Sequence, residues 1–349
     1  MAKQEQHIAL YRAYRPQTFA EVRGQAHVVD VLKAAIKNNT ITHAYLFAGT
    51  RGTGKTSVAR IFAKELGVSD KDLYEIDAAS NRGIDDVREL RDGVHILPFE
   101  SPYKLYLIDE AHMLTKEAWN ALLKTLEEPP PHAIFILATT EAHKIPDTIR
   151  SRCDAYFFKQ PSRMLIAEVI SDIAKKEGYT LEQSAADLVA ILAEGSFRDA
   201  LGILQKVLTI SKDKKVDVEE VERVTAAPAG RVVYALAESI ARGVRADALA
   251  HVRKAVEQDI DARLLMKLLI QRVRALLLMR EAPDTAKLMK SEFTDDEFTS
   301  LEKLSKEGTH ITTKTLHALL EAYETSAYAV LPHLPLELAI IDVTESKTT

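Results

Sequence analysis

The run Gly49-Thr50-Arg51-Gly52-Thr53-Gly54-Lys55-Thr56 brings together glycines, a lysine and a hydroxyl at the intervals that hold a phosphate chain. Glycines let a backbone fold closely round phosphate oxygens, where a Cβ would stand in the way. Successive N–H groups then face the anion, and the N-terminus of the following helix adds partial positive charge. Gly49, Gly52, Thr53, Gly54, Lys55 and Thr56 would form the cradle, with Ser57 beginning the helix directly after it. Lys55 suits the β- and γ-phosphates, and the Thr56 hydroxyl suits Mg²⁺. Asp109-Glu110 closes an apolar run further on. Its first carboxylate can hold Mg²⁺ directly or through water, and its second can orient and polarise an attacking water. Thr140 ends another apolar run, where a hydroxyl meets either the γ-phosphate or that water. Arg152, in Ser151-Arg152-Cys153, is either a solvated arginine or one that enters a neighbouring subunit's site to neutralise phosphoryl charge. Arg198, in Gly195-Ser196-Phe197-Arg198-Asp199-Ala200-Leu201, either senses the γ-phosphate or pairs with Asp199 or another nearby acid.

These groups need elements to carry them. Ala44–Ala48 reads as a buried strand before the loop, and Ser57–Leu66 as the helix after it. Leu73–Ile76, Lys104–Asp109, Ala133–Ala138 and Ala155–Phe158 read as further strands, with helices over Ile84–Leu97 and Lys116–Leu126 between them. Alternating apolar strands and helices predict a parallel α/β sheet covered on both faces, with functional loops at the strands' carboxyl ends. Helical spacing over Phe19–Asn38 either folds over a nucleotide base or packs as an N-terminal arm. Beyond Gln160-Pro161-Ser162 the spacing predicts only helices, over Leu165–Glu177, Ala185–Glu194, Arg198–Ile210 and Val218–Val224. After a second linker at Ala226–Gly230, one apolar stripe runs through Leu236, Ile240, Val244, Leu249, Val252 and Val256. It continues through Leu264 to Leu278 and reads as a bundle core, with a subunit interface as the second choice.

A chain of 349 residues is long for one core, so two or three domains are expected. Its 46% hydrophobic and 28% charged content is that of an ordinary globular protein. No apolar run is long enough to span a bilayer, and the first seven residues lack a signal-peptide pattern. Cys153 is the single cysteine, which excludes intramolecular disulfides and Cys-rich zinc sites. With no His–acid pair beside it in sequence, it reads as a structural apolar residue. The eleven histidines show no H-E-x-x-H spacing. A cytoplasmic location is expected. The net charge of -5 argues against a general nucleic-acid coat, yet residues 1–60 hold nine Lys/Arg against three acids.

Together these stretches resemble the AAA+ ATPases and, within them, the clamp-loader motor subunits of bacterial DNA polymerase III, gamma/tau type. The resemblance is carried by Tyr11–Phe19, Val22-Arg23-Gly24-Gln25, His43–Phe47, the phosphate loop and Glu75–Ser80. Leu107–Leu114, Asn120–Pro130, Ala138-Thr139-Thr140, Ser151-Arg152-Cys153 and Gly195–Leu201 extend it. Leu334–Ala339 resembles the family's closing collar motif. The resemblance implies a RecA-like P-loop core over 1–161, a small helical lid over 162–228 and an all-α collar over 229–349. It makes Lys55 and Thr56 the Walker A pair, Asp109 and Glu110 the Walker B pair, and Thr140 sensor 1. It makes Arg152 the arginine finger acting in trans and Arg198 sensor 2. Tyr11, Arg12, Pro16 and Val22 would lie near the adenine, and Ser80, Asn81 and Arg82 near the DNA backbone. It further implies ATP and Mg²⁺, and a pentameric ring with delta- and delta-prime-type subunits. The ring's partners would be a sliding clamp and primer–template DNA in a nucleoid-associated replisome, with no membrane.

Two departures stand out. Residues 66–73 run directly across where the family commonly has a four-cysteine zinc module, so no zinc is expected. The sequence also stops after the collar motif, as expected of a gamma-type product or a shortened chain. Another AAA+ remodeller, such as a Holliday-junction motor, is disfavoured by Ser151-Arg152-Cys153 and the collar motif. A non-catalytic ring component is disfavoured by the complete phosphate loop and acid pair.

Overall fold

The computed structural model describes residues 8–344 apart from 82–83, 212, 291–292, 294 and 308–309. Packing divides them into two compact units, Met1–Ile173 with Val189–Gln205, and Ala174–Leu188 with Lys206–Thr349.

In the first unit α1 (Leu10–Ala13) and α2 (Ala26–Lys37) precede β1 (Ala44–Ala48) and α3 (Lys55–Glu65). Then come β2 (Leu73–Asp77), α4 (Ile84–Val94), β3 (Lys104–Asp109), α5 (Lys116–Glu127), β4 (Ala133–Thr139), α6 (Asp147–Arg150) and β5 (Asp154–Phe157). The strands form one parallel sheet in the order β2-β3-β4-β1-β5. Every residue of β1 and β4 is buried, as a sheet covered on both faces requires.

Side-chain alternation divides the core in two. Tyr45, Phe47, Leu105, Leu107, Ile134 and Ile136 pack on one face with Val28, Leu32, Val58 and Phe62 from α2 and α3. Leu46, Tyr106, Ile108, Phe135 and Leu137 pack on the other with Leu90, Trp119, Leu122 and Ile149 from α4, α5 and α6. Thus the apolar strands and the helices flanking them lie where the sequence places them.

Four expectations shift, the last of them in the helical second unit. The helix read through Leu97 stops at Val94. There the buried Lys104 ammonium, arriving from β3, donates to the Gly93 and Ile96 carbonyls at 2.8 and 3.4 Å, ending the helix by a contact distant in sequence. The 19–38 segment is a short 3₁₀ turn at Phe19–Glu21 and then α2, interrupted at Gly24, whose φ is 76°. The region beyond 160 also contains strands, since Thr180–Leu181 (β6) pairs in parallel with Lys215–Val216 (β7).

α7 (Arg163–Lys176) leads into β6, α8 (Gln183–Leu192) and α9 (Phe197–Ile210), followed by β7 and α10 (Val218–Thr225). The second unit continues with α11 (Gly230–Ala241), α12 (Arg245–Glu257), α13 (Ala262–Glu281), α14 (Pro283–Leu288), α15 (Asp295–Glu307), α16 (Thr313–Thr325) and α17 (Leu334–Val343). The stripe read as continuous is interrupted at Gly243 (φ 71°), between α11 and α12, and its members Val244 and Val256 are exposed. Leu236, Ile240, Leu265, Leu269, Val273, Leu276, Leu319, Leu336 and Ile340 are buried in the bundle. Buried Arg272 pairs with Glu297 at 2.5 Å; burial lowers its pKa and the Glu297 charge opposes that.

Asp72 ties the loop after α4 to the sheet. Its buried carboxylate accepts the N–H groups of Phe99 (2.6 Å), Glu100 (3.0 Å) and Ser101 (3.0 Å). Burial alone would raise its pKa, but the hydrogen bonds from Glu100, Phe99 and Ser101 hold it at about 2, against an ordinary 3.8. A depressed carboxyl stabilises the fold above its unfolded pKa, and that contribution is lost as pH falls from about 4 through about 2. Asp72→Asn is expected to cost on the order of 2 kcal/mol at pH 7 and almost nothing near pH 2. Urea unfolding followed by the fluorescence of buried Trp119, the single tryptophan, checks it; a gap that stays constant with pH refutes it.

Candidate functional site

The site follows from strand order. β4 lies between β1 and β3, with Ala48 opposite Thr139 and Ile108 opposite Leu137. The loops after these strands therefore leave one edge of the sheet side by side, where the chain reverses direction across it. Those loops carry the phosphate loop, Asp109-Glu110 and Thr140.

In the phosphate loop Gly54 precedes α3 in a left-handed conformation, φ 101°. A Cβ there would meet nothing within 4 Å, so the backbone angle alone demands glycine and the side facing it is open. Gly52 (φ 75°) is doubly constrained, because a Cβ would fall 1.9 Å from Ser196 Oγ. Its carbonyl accepts the Phe197 N–H at 3.1 Å, joining the loop to the start of α9. Buried Thr53 donates from Oγ1 to the Thr50 carbonyl at 2.9 Å. Lys55 Nζ donates to the Gly49 and Thr50 carbonyls at 2.8 and 3.0 Å. Burial lowers the Lys55 pKa, while the charges of Glu110 and Asp109 oppose that. Ser57 is half-buried in the first turn of α3.

Thr56 Oγ1 donates to Asp109 Oδ2 at 2.8 Å, bringing the two predicted Mg²⁺ ligands together. Their hard oxygens are the donors Mg²⁺ accepts beside phosphate oxygens and water, so the residues present fit the ion. Glu110 has a left-handed backbone, φ 47° and ψ 42°, uncommon outside glycine. Thr140 Oγ1 donates to Glu110 Oε2 at 3.1 Å, so the predicted sensor contacts the predicted water-polarising group.

A cleft of about 640 Å³ opens beside Thr56 and Asp109 and is lined also by Tyr11, Arg12, Arg15, Arg60 and Arg198. The Arg198 guanidinium lies over the Tyr11 ring at 5.4 Å, and that of Arg12 at 5.8 Å. Burial lowers the Arg15 pKa, and the charges of Arg60 and Arg198 add to the shift. Arg60 pairs with Glu75 at 2.5 Å. Of the predicted adenine contacts, Tyr11 and Arg12 line this cleft, Pro16 is half-buried, and Val22 packs against the core.

Arg152 stands elsewhere, donating to the Thr148 carbonyl at 2.5 Å and pairing with Glu127 at 2.6 Å. Its neighbour Cys153 has its thiol pushed up to about 12, chiefly by burial, as suits a structural role. In the predicted DNA loop Ser80 and Asn81 are exposed and fold onto Asp77 through hydrogen bonds of 3.2 and 3.1 Å. Arg82 lies outside the described residues.

Gln25, Arg15, Arg60 and His112 carry contacts to which the sequence reading gave no role. Gln25 is fully buried; its amide donates to Lys159 O (2.7 Å) and Thr53 O (3.4 Å) and accepts from Lys159 N (3.0 Å). Arg60 follows Thr56 by one helical turn on α3, the one signal that would have placed it on the cleft.

The family described as "DNA polymerase III, delta subunit" matches residues 24–82 and 68–162. The family described as "DNA polymerase III clamp loader subunit, ATPase lid domain" matches residues 165–213. DNA polymerase III subunit tau of Bacillus subtilis is 36% identical, over 97% of this chain and 63% of its own length. The gamma/tau subunit of Mycobacterium tuberculosis is 34% identical, over 95% of this chain and 61% of its own. The tau subunit of Escherichia coli is 41% identical, over 69% of this chain and 43% of its own. The chain therefore spans less than two thirds of the length of each of these relatives. Among solved structures, the Thermotoga maritima RuvB Holliday junction branch migration motor matches with a TM-score of 0.52 and 22% identity. It covers 65% of this chain and 79% of its own, a likeness of fold alone. With the lid match continuing the core match, and relatives aligned along nearly the whole chain, this protein is similar to the clamp-loader subunits of bacterial DNA polymerase III, the gamma/tau type among them.

Proposed function

We propose that this chain is an ATP-hydrolysing motor subunit of the replicative clamp loader, using ATP binding and hydrolysis to load a sliding clamp onto primer–template DNA. The observation that carries the reading is the 2.8 Å bond between Thr56 and Asp109, with Lys55 in the adjoining loop and Glu110 held by Thr140. One loop, one acid pair and one hydroxyl thereby meet at a single sheet edge, as phosphoryl transfer requires.

Thr56 and Asp109 would hold Mg²⁺, which supplies charge neutralisation on the phosphate oxygens when bound. Lys55 is buried at the cradle, where an ammonium is little screened and favours the β- and γ-phosphates. Glu110 orients and polarises the attacking water, and Thr140 fixes that carboxylate. Arg198, stacked on Tyr11 in the cleft, supplies positive charge from α9. Tyr11 and Arg12 offer an aromatic face and a cation to the rest of the nucleotide. Arg152, set apart from this chain's own cleft, serves a neighbouring subunit's site. Ser80, Asn81 and Arg82 would meet the DNA backbone.

The partners in this reading are delta- and delta-prime-type subunits in a pentameric ring, the clamp and DNA, in the cytoplasm at the nucleoid. Among the described residues no helix is long and apolar enough to cross a membrane. The division into core (1–161), lid (162–228) and collar (229–349) belongs to the same reading, and the lid match over 165–213 supports its middle part.

ATP hydrolysis measured with and without companion subunits, clamp and primed DNA tests the whole reading. The chain alone should turn over weakly and the assembled complex strongly; equal rates would refute the motor role. Lys55→Ala should abolish turnover, and Glu110→Gln should lower it by about 10²-fold or more while nucleotide still binds. Normal stimulated rates in either variant would reject the site. Arg152→Ala should reduce stimulated turnover by about 10³-fold or more with nucleotide affinity retained. Loss of affinity in that variant would mean that Arg152 acts on the fold through Glu127.

A further inference from the structure

A buried histidine touches the carboxylate proposed to act on water, and the functional reading above does not use it. His112 follows Glu110 in the 3₁₀ turn Ala111–Met113, with its side chain only 8% exposed. Its Nδ1 lies 3.1 Å from Thr139 Oγ1 and 3.5 Å from Glu110 Oε2. Its Nε2 lies 3.3 Å from Glu141 Oε1. The ring is thus bounded on both nitrogens by groups on the segment that carries Thr140.

Those groups are themselves fixed. Thr139 is fully buried at the end of β4, and its hydroxyl accepts the Glu141 N–H at 3.0 Å. The Glu141 carboxylate meets Lys144 Nζ at 2.8 Å, across the 3₁₀ turn Ala142–Lys144. Glu110 Oε2 is thus approached by both the Thr140 hydroxyl and the imidazole, on a residue whose backbone is already left-handed. A glutamate side chain otherwise has three rotatable bonds to disperse its carboxylate.

We infer that His112 is a positioning residue for the proposed hydrolysis: braced by Thr139 and Glu141, its ring fixes one Glu110 oxygen opposite Thr140 and so sets the direction of the other. The inference rests on the reading of Glu110 as the water-polarising group. A histidine that merely fills the core would bear on folding and binding alike. One that aims Glu110 bears on the transition state and leaves ground-state binding untouched.

The test uses the full chain assembled with companion subunits, clamp and primed DNA. His112→Ala should slow stimulated hydrolysis about 10- to 100-fold, the loss that follows an error of roughly 1 Å in a reacting group. Affinity for a fluorescent ATP analogue and the Trp119 melting temperature should stay near those of the unaltered chain. Affinity for ADP with aluminium fluoride, which mimics the transferring phosphoryl group, should fall with the rate. His112→Asn, whose amide reaches the position of Nδ1, should recover most of both. Unaltered turnover in His112→Ala overturns the inference. So does a parallel loss of ATP binding and stability in the alanine and asparagine variants without rescue. Glu110→Gln run alongside separates the two claims: if it is inactive while His112→Ala is normal, only the role of His112 fails, and if it hydrolyses normally, the reading of Glu110 fails first.

Discussion

A parallel sheet buried on both faces has one edge at which its carboxyl-terminal loops emerge, and β1, β4 and β3 reach that edge side by side. The remaining chemistry depends on that alignment. Thr56 on α3 meets Asp109 at the end of β3 although 53 residues separate them. It does so because the chain leaves β1, crosses the sheet to β2 and returns one strand at a time. Thr140 reaches Glu110 for the same reason, since β4 ends beside β3. The apolar alternation of these strands therefore fixes the distance between phosphate loop and acid pair, and neither motif contains that distance by itself.

The loops add what the strands cannot. Lys55, Asp109 and Glu110 set one ammonium near two carboxylates at the mouth of an apolar sheet, where burial lowers the lysine pKa and the two negative charges oppose that shift. Gly52 and the Ser196–Phe197 turn are in contact, so the start of α9 bears directly on the phosphate loop. The Phe197 N–H that bonds the Gly52 carbonyl immediately precedes Arg198, so the loop and the cleft arginine are joined by a backbone hydrogen bond one residue away.

What could be read from the sequence was what is local. The phosphate loop declares itself because its glycines, lysine and threonine occupy eight consecutive positions between a strand and a helix. The acid pair does so because it ends an apolar strand. The end of α4 was illegible, because helical spacing continues to Leu97 and the groups that stop the helix come from Lys104 on a later strand. β6 and β7 were missed because two residues carry no period and their partners lie 35 positions apart. His112 was passed over for a related reason. No metal spacing marks it, and its three contacts come from Glu110, Thr139 and Glu141 on two different strand ends. The tie between Arg152 and Glu127 likewise joins residues 25 positions apart.

The cleft gathers like charges that neighbouring acids offset only in part. Arg12, Arg15, Arg60 and Arg198 come from the N-terminal arm, α3 and α9, and line one space. Like charges this close repel, and the lowered pKa of Arg15 registers burial first and the nearby cations Arg60 and Arg198 next. Glu75 offsets Arg60 directly, and Asp77 and Asp109 on the same wall offset more. A polyphosphate in the cleft would add several negative charges and turn the repulsion into attraction. The N-terminal arm is held there through the Leu10 N–H, which donates to Gln205 Oε1 at 3.1 Å, and through Tyr11 beneath Arg198. Arm, loop helix and α9 thus contribute to one cluster of positive charge that an anion in the cleft would offset.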